Sequence, residues 1–490
     1  MNLLFVTLLF LPFTPVFAFF RMPCRGRTGL GRIDPLVDLG EVSGHVHTFH
    51  GSGNMAMSAS NADLCKNDAC TSCQSTKDKS AYWTPALYFL HSNGSSAIVP
   101  QVGGMLAYYL MYLDDVKPFP EGFSMIAGQP KVRNFTGSFP DEPLSSWPQD
   151  STGTAQQTWL RQRALGFNCL NYQRAAEPSL YRHEMPSKEY IDANCADGIR
   201  MELAFPSCGN GEKDSDDHRS HMAYPSLVKE GNCPRGYDVH YPFLFFETIW
   251  GTNYFHGQDG QFVLSYGDPV GTGYHGDFMM GWESEEFLGQ VIRECGARDG
   301  TGKVEDCPPL AADLQTEDEM KKCAFRMPVE LESENSADSP DGIPGAVPVQ
   351  PGPEEAQPYS IPGRKTTAAA KETATAQASI VAASAVDDKK GHHNKGHHVQ
   401  AAADPTPSDP TPSAANPPAD HVESASCSTI TQGGKVIHLF VEEKTVFVTV
   451  TDTPQATAQA QSGNSHHAHA AAAGPVYRRH MHHGSHGRRF

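Results

Sequence analysis

The stretch Phe243-Leu244-Phe245-Phe246-Glu247-Thr248-Ile249-Trp250 decides the fold class. Its aromatic and β-branched side chains suit a pleated, half-buried surface, and turn-forming residues bound it on both sides. Runs of the same kind recur at Tyr82–Phe89, Gly104–Tyr112 and Gln261–Tyr266. Helical periodicity is weak throughout. The best helix is predicted from Ser284 to Cys295, with Ser284 as its cap and Glu285 and Glu286 in its first turn. A mainly β protein follows: one large β-rich domain, sandwich or barrel-like, with long loops and few helices.

That domain is expected over residues 19–330 of a 490-residue chain. A core of roughly 300 residues buries about 75% of its unfolded surface, so the stretch supports one large interior. Beyond it the composition changes. Residues 331–426 read as a disordered linker rich in Pro, Ala, Ser and Thr, too polar to bury a core. Residues 427–455 hold two strand-like runs around Glu442-Glu443-Lys444, a hairpin that needs a partner surface or self-association. Residues 456–490 form a His-rich tail suited to self-association or loose metal collection.

The remaining bulk features bear on compartment and partners. Residues 1–18 read as a signal peptide ending in Val16-Phe17-Ala18, and the apolar run is too short for a membrane span. Eleven of the twelve cysteines lie between Cys24 and Cys323, which in a secreted chain implies disulfides, with one thiol free or paired to Cys427. The sequons at Asn93 and Asn134 predict glycosylated surface positions. A net charge of −18 disfavours nucleic acid as a partner, because phosphate binding needs clustered Lys and Arg.

Chemistry concentrates in the histidines. Of 23, thirteen lie at or beyond His392, and half of the other ten fall in Gly44-His45-Val46-His47-Thr48-Phe49-His50 and Asp216-Asp217-His218-Arg219-Ser220-His221. On a strand, His45 and His47 share one face; on a helical turn, so do His218 and His221. His275 and Asp277 repeat the i, i+2 spacing between flanking glycines. A metal hydrolase needs about three protein ligands and a base. His45, His47, His218, His221 and His275 are the candidate ligands for one divalent metal, zinc or copper, and Asp217, Asp277 and Glu247 the candidate bases. The carboxylates Asp216, Asp217, Glu247, Asp268 and Asp277 leave a two-carboxylate glycosidase open. Tyr82, Trp83, Trp250 and Trp282 are candidate sugar-stacking rings, although most large aromatics are core. The competing reading makes the histidines hydrogen-bonding members of a polar cleft or sheet. Cleavage near Ala18 exposes Phe19, which argues against a copper oxygenase built on an N-terminal histidine.

Several segments together resemble the domain of unknown function 1996 family. They are Phe20-Arg21-Met22-Pro23-Cys24, Ser43–His47, Asp192–Leu203, Phe205-Pro206-Ser207-Cys208, Asp217–Pro225 and His275-Gly276-Asp277-Phe278. The resemblance spans roughly residues 19–295 and departs from the pattern at Gly209, where Trp is expected. It implies a secreted fungal protein near polysaccharide, extracellular or in the cell wall, and implies no reaction. Three functions remain open: a metal-assisted hydrolase with a His/Asp cleft acting on cell-wall glycan, a non-catalytic glycan-binding or matrix protein with a metal-collecting tail, or metal acquisition led by that tail.

Overall fold

A computed structural model of the protein describes residues 18–66, 69–149, 156–295 and 301–364. Residues 1–17 of the expected signal peptide, Cys427, the expected hairpin and the His-rich tail lie outside the described residues.

Two five-stranded antiparallel sheets face each other. The first runs β1 (Ala18–Cys24), β7 (Gln101–Met111), β14 (Phe243–Trp250), β10 (Ile199–Ala204) and β9 (Leu165–Cys169). The second runs β2 (Gly29–Gly31), β3 (His47–Gly51), β4 (Ala81–Pro85), β16 (His275–Met279) and β8 (Ser124–Gly128). A four-stranded sheet adds β15 (Gly260–Leu264), β5 (Leu87–His91), β6 (Ser96–Ile98) and β17 (Asp338–Ser339). A small three-stranded sheet joins β12 (Met222–Ala223), β11 (Cys208–Gly209) and β13 (Val239–His240). The mainly β expectation holds, and the two large sheets form a sandwich.

Side-chain alternation explains how the deciding stretch is used. Leu244, Phe246 and Trp250 point into the central core, where Phe246 meets Tyr82 of the facing sheet with ring centroids 5.5 Å apart. Phe243 and Phe245 point the other way, into a separate cluster with Trp147 and Tyr224. A strand buried on both faces reads as a continuous apolar run. The second sheet behaves likewise. Tyr82 and Phe278 face the core, whereas Phe49, Trp83 and Met279 belong to a cluster on its outer face. The predicted helix is present as Glu285–Cys295, with the Ser284 hydroxyl accepting from the Phe287 amide at 3.0 Å.

Five disulfides pair ten cysteines: Cys24–Cys73, Cys70–Cys323, Cys169–Cys195, Cys208–Cys233 and Cys295–Cys307. Cys65 is the free thiol among the described residues. Such density belongs to an oxidising, extracellular-type compartment. No helix among the described residues is long and apolar enough to cross a membrane.

The expected linker starts later than composition implies. Residues 331–364 pack on the domain: Asp338–Ser339 pairs with β6, Arg32 Nε holds Glu334 Oε1 at 2.9 Å, and Ile343 and Val347 are buried with Val46 and Tyr88. A Pro-rich segment needs only a few apolar side chains to dock when the receiving sheet offers matching apolar surface. Each such side chain contributes about 1.5–3 kcal/mol on burial. A chain ending at residue 330 is therefore expected to melt well below one ending at residue 364. Equal melting temperatures for the two would show that the segment adds no stability.

Candidate metal centre

Strand register builds the site. β3 and β16 flank β4, with Phe49 and Asp277 both opposite Trp83. Two residues back along each of these strands stand His47 and His275, on the outer face away from the sandwich core. His45 continues the alternation just before β3, with its ring centroid 4.3 Å from that of His47. The three histidines each offer a ring nitrogen, and these atoms lie within 4.8 Å of one another. No other group of three His, Cys, Asp or Glu among the described residues is arranged to hold a metal ion.

Backbone carbonyls orient the rings. His47 Nδ1 donates to the Ile33 carbonyl at 2.9 Å, and His275 Nδ1 donates to the Gly273 carbonyl at 2.9 Å. That fixes each proton on Nδ1 and turns Nε2 away from the backbone, the usual outer-sphere arrangement for a metal-binding imidazole. His47 Nε2 is buried with no hydrogen-bond partner, and His275 Nε2 faces His45 Nε2 at 3.1 Å. Burial pushes all three rings below the ordinary histidine range, His47 to about 3, with His45 and His275 pushed further by neighbouring cations and imidazoles. Three neutral imidazoles with converging ring nitrogens are a donor set suited to zinc or copper.

A supporting tier holds the carbonyls in place. Asp268 is fully buried and accepts from the amides of Val270, Gly271 and Gly273 at 2.8–2.9 Å and from Tyr266 Oη at 3.1 Å. It thereby shapes the turn that presents the Gly273 carbonyl. Gly128, with φ of +81°, pairs with His275 across β8 and β16. A Cβ there would stand 2.2 Å from the Tyr274 carbonyl oxygen, so only glycine fits. The segment beyond residue 350 crosses the loop leading to His45, with Tyr359 Oη donating to the Gly44 carbonyl at 2.8 Å and Arg364 paired with Asp38.

Beside the triad lies a carboxyl pair. Asp277 is 1% exposed and neither of its oxygens has a hydrogen-bond partner. Burial, reinforced by Asp34, pushes its carboxyl well above the usual range, while Arg219 acts in the opposite sense. Asp34 follows the carbonyl that holds His47 and accepts from the amides of Leu36 and Val37 at 3.1 and 3.0 Å. Burial raises its carboxyl to about 7. An unpartnered buried carboxyl is costly, and positions that keep one tend to be functional.

The other expected residues lie elsewhere. His218 bridges Asp214 Oδ1 at 2.7 Å and the Leu36 carbonyl at 3.0 Å, so both its nitrogens are engaged. His221 meets Ser215 Oγ at 2.9 Å and packs against Phe123, outside the triad. Asp217 caps its own turn by accepting from Ser215, Arg219 and Ser220. Glu247 sits on the first sheet opposite Glu202, near Arg200. Tyr82, Trp83, Trp250 and Trp282 are at most 2% exposed, which makes them core rather than sugar-stacking rings. Gly209 is buried, and a Cβ there would stand 2.4 Å from the Tyr241 ring, so this fold has no room for the expected indole. Asn93 and Asn134 are exposed, with Asn93 Oδ1 accepting from the Ser95 amide at 2.9 Å. Spacing alone missed Asp34 and the carbonyls of Ile33 and Gly273, because neither a backbone acceptor nor a loop carboxylate leaves a motif.

His50 also stays outside the triad, bonded through Nδ1 to the Gly26 carbonyl at 3.0 Å and through Nε2 to Gln101. Burial lowers it from 6.5 to about 4. Below pH 6.5 the unfolded chain takes up a proton that the folded chain refuses, so His50 costs stability as pH falls from 6.5 towards about 4. The melting temperature of His50→Gln relative to the parent is therefore expected to rise across that window. A difference independent of pH would contradict the assignment. Raised carboxyls such as Asp78, at about 6, act in the opposite sense, so the comparison of the two chains isolates His50.

The family model for a domain of unknown function, DUF1996, matches residues 34–282, a span that holds the three histidines together with Asp34 and Asp277. No curated protein and no solved structure matches the chain. With half of its length covered, the chain belongs to the DUF1996 family.

Proposed function

We propose that His45, His47 and His275 bind one divalent metal ion, zinc or copper, in an extracellular protein that hydrolyses cell-wall glycan. The observation that carries this reading is the buried, unpartnered Nε2 of His47, aimed where the ring nitrogens of His45 and His275 converge. Held by His45, His47 and His275, such a metal would act as a Lewis acid and would lower the pKa of a bound water. The chain's own part is to handle the proton. Asp277, with Asp34 beside it, would accept the proton released by the attacking water and return it to the leaving oxygen. One water is consumed for each glycosidic bond broken, and no oxidant or reductant is required. Support for an extracellular setting comes from the five disulfides, and glycan is the substrate class that the sequence resemblance implies.

Elemental analysis of a chain ending at residue 364, which removes the thirteen tail histidines, tests the centre. About one equivalent of metal is expected. It should be lost in His47→Ala and His275→Ala and retained in His218→Ala. Asp277→Asn should keep the metal and lose at least about a hundredfold in turnover of glycan oligomers, the usual worth of a positioned acid or base. Metal retained in His47→Ala, or lost equally in His218→Ala, would overturn the assignment.

A further inference from the structure

The exposed aromatic side chains gather in one region. Among the described residues these are Phe139 (51% exposed), Tyr172 (67%), Tyr181 (38%), Tyr190 (40%) and Tyr254 (61%). Phe139, Tyr181 and Tyr190 surround one guanidinium, that of Arg182, which lies 5.1, 5.4 and 5.1 Å from their respective ring centroids. The Phe139 and Tyr181 rings meet edge to face at 4.9 Å. Tyr190 stands on the helix Lys188–Asn194, and the segments carrying the other two tyrosines are tied to that helix. Asn171, beside Tyr172, donates to the Asn194 carbonyl at 3.2 Å, and Gly257, three residues past Tyr254, donates to Asp192 at 3.1 Å.

The cluster is held firmly. Arg182 forks onto Glu177 at 2.9 and 3.0 Å and donates to the Phe167 carbonyl at 3.2 Å. The loop bearing Phe139 is fastened by His183 to Asp141 at 3.1 Å and by Arg163 to Glu142 at 2.7 Å. Rings already fixed in place lose little conformational entropy when a ligand covers them. Contiguous apolar surface left in water marks an interaction site.

We propose that Phe139, Tyr181 and Tyr190, set around Arg182, form a stacking platform for a neutral polysaccharide chain. The proposal rests on the glycan reading above and adds a binding surface separate from the histidine triad. Charge selects the occupant. Glu177 cancels the one cation within the cluster, and the chain's net −18 repels anionic polymers. A pyranose ring offers a flat C–H face to an aromatic ring and hydroxyls to the tyrosine Oη atoms. The exposed aliphatic residues Val37, Leu39, Val102 and Val329 lie on other segments, so the platform lacks the aliphatic surface that a protein partner would cover.

Co-sedimentation of the full chain with chitin, β-glucan and cellulose particles tests the platform. The parent is expected to sediment with at least one of them, equally at low salt and at high salt, since no charge pairing is involved. Phe139→Ala and Tyr181→Ala should each weaken binding by about five- to tenfold, with near-UV circular dichroism unchanged. Tyr181→Trp should restore binding, and Val329→Ala, at an exposed position outside the platform, should bind as the parent does. A parent that binds alongside alanine variants that bind equally well would overturn the platform and leave the glycan reading standing. Binding abolished by salt would overturn its neutral character. A parent that sediments with none of the three polymers would overturn the glycan reading and the platform together.

Discussion

Everything at the centre of this protein depends on a register: β3 and β16 lie on either side of β4 and run the same way, so that His47 and His275 share one row of the sheet. A slip of one residue in either strand would turn its histidine through the sheet into the aromatic core. The large rings around it resist such a slip. Tyr82 and Phe278 fill the inner face while Phe49 and Trp83 fill the outer one, and no strand can shift without exposing rings on one side and overpacking the other.

The same sheet then makes the histidines chemically useful. Burial removes their tendency to protonate, and two backbone carbonyls decide which nitrogen keeps its proton. Neither effect belongs to the histidines alone. Burial comes from the loop carrying Ile33 and Asp34 and from the segment that closes over Gly44. The carbonyls come from a turn shaped by Asp268 and from the residue preceding Asp34. The site is therefore a property of the outer face and its cover, while the sandwich core behind it supplies rigidity.

Two polar side chains at this face are buried with unpartnered atoms. They are His47, through Nε2, and Asp277, the one carboxylate among the described residues with both oxygens buried and unpaired. Glu202 shows the contrast: it is equally buried on the first sheet but accepts from the Leu180 amide and pairs with Arg200 at 2.8 Å. Leaving a whole carboxyl buried without partners costs stability, and this sets Asp277 apart from a structural polar network. The exposed aromatic cluster around Arg182 is a second local departure from ordinary surface composition, and it lies on elements that contribute nothing to the triad.

Much of this was legible from residue order. The deciding stretch at residues 243–250 announced a strand, and its double-sided apolar character agreed with burial on both faces. The spacing of His45 and His47 placed two imidazoles together because side chains alternate along a strand whatever the strand packs against. Ser284 marked a helix start for an equally local reason. Tertiary structure alone decided the rest. It brought His275 to His45 across 230 positions and turned His218 into a bridge between loops. It buried the four aromatics that looked suited to sugar, and it drew residues 331–364 onto the domain. Local rules act through backbone geometry within a few residues, and so are written in neighbouring letters. Partner choice between distant segments depends on which surfaces exclude water together, and that is settled only when the whole chain has packed.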